Sequence, residues 1–168
     1  IHIRFHMLSH TLRLLLVSCC LLTGLLPSTA AAQVDELDAF WSEVSRTVSE
    51  GDFEGYSATY HPDAVLVSSS SNESYPIAQA LAGWKPGFDD TKDGRLSAGV
   101  DFRFTQRLHD GNTAHETGIF RYWSQTGDAD PVVAMVHFEG LLVRKDGWLM
   151  VMEYQKSSAT FEEWEAAK

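Results

Sequence analysis

The sequence predicts an α+β domain in which helices come first and a long-stranded antiparallel sheet follows. Between Val34 and Trp84, apolar residues recur at spacings of three and four, the period of a helix face. From Arg95 onward, long apolar segments are divided by the turn signals Asp110-Gly111-Asn112, Gly127-Asp128 and Asp146-Gly147. The chain can also fill a core: 44% of its 168 residues are hydrophobic, with nine Phe, five Tyr and five Trp. That length suits one domain.

The first helix is expected over Asp35 to Glu50, where Leu37, Phe40, Trp41, Val44 and Val48 form one stripe, and Gly51 ends it. A short second helix from Asp52 carries Phe53, Tyr56 and Tyr60 until His61-Pro62 breaks it. Ala64 to Val67 reads as a strand and Ser68 to Ser74 as a polar loop. Pro76 opens a third helix with Ile77, Ala80, Leu81 and Trp84, and Pro86-Gly87 closes it. Four strands are then predicted near 96–109, 113–125, 132–145 and 148–157. Each exceeds the usual five or six residues, so the sheet should be strongly bent. Thr160-x-x-Glu163 has the pattern of a capping box opening a terminal helix.

Upstream of this domain, Met7 is read as the initiator. Arg13, the apolar run Leu14 to Leu26 and the small residues Thr29 to Ala32 have the order of a cleavable signal peptide, with cleavage near Ala32/Gln33. The run is about 13 residues, short of a helical membrane span. A lipoprotein box at Leu16 to Cys19 is the alternative, but the segment between Arg13 and Cys19 is too short for the apolar region preceding such a site. The domain therefore divides as a leader over 1–32 and one domain over 33–168, exported to the periplasm or secreted. Removing the leader takes away both Cys and leaves a net charge of −12, against −10 for the whole chain. No disulfide or thiol chemistry remains. Such an acidic surface opposes nucleic-acid binding.

Three stretches carry a resemblance: Phe40-Trp41 running into Tyr60 to Val65, the segment Gly111 to Gly118, and Arg144 to Trp148 followed by an apolar strand. From Asp35 to about Ser158 the chain resembles the nuclear transport factor 2-like superfamily, in its SnoaL-like and ketosteroid-isomerase-like branches of small proteins without an assigned activity. The resemblance implies a cone-shaped, cystatin-like fold with three N-terminal helices packed on the concave face of a bent antiparallel sheet. That superfamily includes isomerases, dehydratases, polyketide cyclases, oligomerisation modules and proteins with no chemistry, so fold alone assigns no activity. The isomerases' Asp base and their Tyr-plus-acid pair do not map residue by residue onto this chain.

Side-chain alternation gives the candidate site. A two-residue turn at Asp146-Gly147 pairs Lys145 with Trp148 and Glu139 with Tyr154. His137, Glu139, Leu141 and Val143 then share a face with Trp148, Met150, Met152 and Tyr154. This mixed apolar and ionisable face is expected to be concave. A desolvated Glu139 would exchange a proton, His137 would tune or relay it, and Tyr154 would stabilise an oxyanion. A buried hydrogen-bond network without chemistry is the competing reading. Glu116 is a second candidate acid, its face depending on the register at Asp110 to Asn112, and Arg103 and Arg107 are expected to include at least one surface or cross-strand partner for a carboxylate. Tyr56, Tyr60, Trp84 and Met152 are expected to line a small-molecule pocket. The opposite face, with Phe138, Leu142, Leu149 and Val151, is expected to pair two copies into a homodimer.

The chain has no metal-ligand spacing, no phosphate-cradling glycine loop and no Gly-x-Ser-x-Gly elbow. The expected activity is that of a cofactor-free isomerase, dehydratase or cyclase acting on a small apolar carbonyl compound. The alternative is a noncatalytic periplasmic ligand-binding or protein-interaction module.

Overall fold

The computed structural model describes residues 29–167. The expected leader lies outside them up to residue 28, and its last residues form the first turn of helix α1 (Thr29–Glu50). The predicted stripe of α1 is buried, with Leu37 fully enclosed. Gly51 ends the helix with φ of 66°. A Cβ there would lie 2.3 Å from the backbone nitrogen of Lys92, so glycine serves both the left-handed turn and the close approach of a later helix.

Helix α2 (Phe53–Ala58) starts at Asp52, whose carboxylate accepts from Gly55 N at 2.9 Å. It ends sooner than expected, and His61-Pro62 lies within strand β1 (Tyr60–Ser68). The register of β1 against its neighbour shifts between Tyr60 and Val65, which leaves room for a proline that cannot donate to the ladder. The predicted polar loop is the tip of a hairpin, followed by strand β2 (Glu73–Pro76). Helix α3 (Ile77–Lys92) passes through Pro86 instead of ending there. Pro86 forfeits the bond to the Ala82 carbonyl. Packing downstream outweighs that loss: the Phe88 ring is 5.7 Å from Phe53 and 4.8 Å from Tyr56.

Strands β3 (Ser97–His109), β4 (Thr113–Gln125), β5 (Val132–Arg144) and β6 (Trp148–Ser158) form the predicted antiparallel meander. The curled six-stranded sheet has the order β2-β1-β6-β5-β4-β3, with β1 parallel to β6. Helices α1 to α3 pack on its inner face. There Trp41 meets Phe102, Phe104 and Phe138 at centroid distances of 4.5, 5.4 and 5.5 Å. Helix α4 (Phe161–Ala166) opens with the predicted capping box at Thr160 and Glu163. It lies on the outer face, where Trp164 packs with Ile119 beneath the guanidinium groups of Arg103 and Arg121. None of the described helices is long and apolar enough to cross a membrane.

Two single-residue slips reverse the expected face of β5 and that of β6 beyond Val151, while Trp148 and Met150 are buried as expected. The turn between them holds three residues, so Arg144 faces Trp148 and Leu142 faces Met150. An extra residue then enters at Val151, so Leu141 faces Met152 and Glu139 faces Tyr154. The first slip turns Phe138 and Leu142 into the core, at 1% and 0% exposure, rather than onto a dimer surface. The second turns Glu153 and Gln155 inward, in place of Met152 and Tyr154.

Candidate functional site

A cavity of about 380 Å³ lies between the three N-terminal helices and the inner sheet face. Its walls include Trp41, Trp84, Phe88, Phe102, Phe120 and Phe138, and its polar side chains include Tyr56, Tyr60, Thr91, Tyr122, Glu153 and Gln155. Aromatic walls with a few convergent polar groups are the usual composition of a small-molecule pocket. Gly83 and Gly87, one turn apart on α3, also line it, and a Cβ at either would meet nothing within 4 Å. These glycines keep that wall of the cavity open.

Four of these polar groups form one chain. Glu153 Oε1 accepts from Gln155 Nε2 at 2.7 Å, and Oε2 accepts from Tyr60 Oη–H at 2.5 Å. Tyr60 Oη is in turn 3.2 Å from Tyr56 Oη. Desolvation by burial holds the Glu153 carboxyl above the usual carboxylate range, against the lowering effect of its two hydrogen bonds. Burial, and then the negative charge of Glu153, push both Tyr56 and Tyr60 upward. No other carboxylate lines the cavity among the described residues.

The structure brings Tyr56, Tyr60 and Trp84 to the cavity and sends the expected catalytic group elsewhere. Glu139 lies on the outer face, where it accepts from Lys156 Nζ at 2.7 Å and sits 3.1 Å from His115 Nε2. The Lys156 hydrogen bond lowers its pKa, the reverse of the shift expected in a cavity. His137 faces α4, 3.4 Å from Glu163, and Tyr154 bonds Ser69 at 2.9 Å. Met152 pairs with the outer residue Leu141 and does not line the cavity. These side chains have satisfied partners outside, while the sheet turns its aromatic residues toward Trp41.

Glu116 does face inward, but not into the cavity. It is fully buried, with one oxygen accepting from Trp41 Nε1 and the other from Arg107 Nε. Arg107 is its cross-strand neighbour and also bonds Asp38 at 2.5 Å. The residue missed by alternation, Glu153, had one signal: it is the lone acid in the apolar run Leu149 to Tyr154.

No family model matches the chain, and no curated protein matches it. Solved structures do. A nuclear transport factor 2-like protein of unknown function from Shewanella oneidensis aligns with a TM-score of 0.57 at 15% identity, over 74% of this chain and 99% of that one. ActVI-ORFA from Streptomyces coelicolor gives 0.58 at 20% identity, over 76% and 97%. A ketosteroid isomerase-like protein from Erwinia carotovora atroseptica gives 0.54 at 12% identity, over 76% and 97%. The chain has the nuclear transport factor 2-like fold.

Proposed function

We propose that this chain is an exported domain that takes one small, mostly apolar molecule into the aromatic cavity and acts on it by cofactor-free proton transfer at Glu153. The observation that carries this reading is a buried carboxyl whose hydrogen-bond partners, Tyr60 and Gln155, sit with it on the wall of a cavity large enough for a ligand. Suitable chemistry is removal of a proton beside a carbonyl group, as in isomerisation, dehydration or cyclisation. Likeness of fold to a protein named ketosteroid isomerase-like supports the reaction class but assigns no residue.

The cavity is tested with N-phenyl-1-naphthylamine, a neutral fluorophore. Binding to the native protein is expected, and Gly87→Trp should weaken it at least ~10-fold while keeping the helical circular dichroism, since tryptophan is a better helix residue than glycine. A native protein that leaves the fluorophore dark, or a variant that binds it equally, overturns the assignment. Proton transfer is tested on small carbonyl compounds; if the fluorophore binds but no turnover is found, the noncatalytic binding module is the better reading. Export is tested by N-terminal analysis of the exported protein, expected to begin near Gln33. Retention of residues 7–32, or acylation at Cys19, overturns it. A homodimer through the outer face would rest on Leu141, Leu149 and Met152, since Phe138 and Leu142 are inside.

A further inference from the structure

We infer that Tyr56 is the oxyanion donor of this site and that protonation of Glu153 arms it through Tyr60. This rests on the proton-transfer reading above and adds a direction to the hydrogen-bond chain. With Glu153 ionised, its carboxylate can only accept, so Tyr60 Oη–H is committed to Oε2 and Tyr56 Oη–H is committed to Tyr60. In that state Tyr56 presents only a lone pair to the cavity. A proton taken from substrate onto Glu153 makes Oε2 a hydroxyl, which turns to donate to Tyr60 Oη. Tyr60 then donates to Tyr56, and Tyr56 turns its own O–H into the cavity.

The balance closes without any covalent change at either tyrosine. The C–H bond breaks, its proton resides on Glu153, its electron pair passes to the carbonyl oxygen as an enolate, and that oxygen accepts from Tyr56. Gln155 continues to donate to Oε1 throughout, because that oxygen remains an acceptor in both states. The donor is therefore absent in the ground state and present once negative charge has formed, which favours the charged state selectively. No charged group competes: besides Glu153, the titratable residues lining the cavity are Tyr56 and Tyr60, from α2 and β1, and Tyr122 from β4. Helices α1 and α3 contribute none. Tyr56 is thus a catalytic residue beside Glu153, and Tyr60 is a positioning residue.

The experiment uses 4-nitrophenol, whose absorption distinguishes phenol from phenolate. At a pH where the free probe is mostly neutral, the native protein should bind it as the phenolate, its proton held by Glu153 and its oxygen by Tyr56. Tyr60→Phe should retain the probe as the neutral phenol, with the phenolate band lost, although Tyr56 and Glu153 are both still present. Glu153→Gln supplies a permanent amide donor to Tyr60. At a pH where the probe is ionised, this variant should bind phenolate at least ~10-fold more tightly than Tyr60→Phe does. Calorimetry in two buffers should find proton uptake on phenolate binding by the native protein and none by Glu153→Gln. A phenolate band that survives Tyr60→Phe overturns the relay while leaving the cavity intact. Equal proton uptake by Glu153→Gln also overturns it. Failure of every variant to bind the probe, with N-phenyl-1-naphthylamine still bound, overturns the relay; failure with both probes removes the cavity reading beneath it.

Discussion

Glu153→Gln is expected to stabilise the fold at neutral pH while lowering turnover of any carbonyl substrate by roughly 100-fold or more, the usual scale for a positioned general base. The two effects have one cause. Burial raises the folded-state pKa of Glu153 above the ordinary 4.5, so the folded protein holds this proton more tightly than the unfolded chain does. Stability from the protonated group is therefore whole below the unfolded value and is lost as pH rises through the raised folded value. Above that window the native protein carries a desolvated negative charge, and glutamine removes it while keeping a hydrogen bond to Tyr60. Thermal denaturation should show a gain of about 1 kcal/mol or more for the variant at neutral pH. The gain should disappear in acid, below the unfolded value. Equal pH dependence in the two proteins would show that Glu153 is not desolvated. Unchanged turnover would show that it is not the base.

The largest loss of stability is expected from Glu116→Ala. This residue is enclosed beneath the cavity, and its removal strips Trp41 Nε1 of its acceptor and Arg107 of a buried countercharge. Breaking a buried pair from one side costs about 3–5 kcal/mol, and the bond that Arg107 keeps to Asp38 puts Glu116→Ala at the lower end of that range. Glu116→Gln keeps an acceptor for the indole and should lose clearly less, about 1–3 kcal/mol. Urea unfolding measures both. Because the Trp41 ring lines the cavity, Glu116→Ala should also weaken N-phenyl-1-naphthylamine binding, with Glu116→Gln restoring most of it. Equal losses of stability for the two variants would mean that neither contact contributes as placed.

The order of elements was legible in the chain because each signal is local. The α1 stripe, Gly51, the turn residues dividing β3 to β6, and the Thr160 cap all depend on residues within a few positions of one another. The alternation of β4 was also local, grouping Ala114, Glu116, Gly118, Phe120 and Tyr122 against His115, but which group turns inward waited on the register of the turn before it. Tyr56 and Trp84 followed to the cavity because their helical spacing survives folding, and Tyr60 reaches it as the first residue of β1.

What only the tertiary structure decided was which face of β5 and β6 turns inward, and with it the identity of the acid. Both faces are apolar enough to be buried, so composition could not choose between them. The choice rests on a three-residue turn and on one extra residue at Val151. A shift of one residue reverses every later side chain on a strand of period two, carrying Glu139 to Lys156 outside and Glu153 to Tyr60 inside. The same dependence on distant packing carried α3 through Pro86, where Phe88 against Phe53 and Tyr56 outweighs a local helix breaker. Local spacing determined what the elements are, and contacts between residues far apart in the chain determined which side chains meet in the cavity.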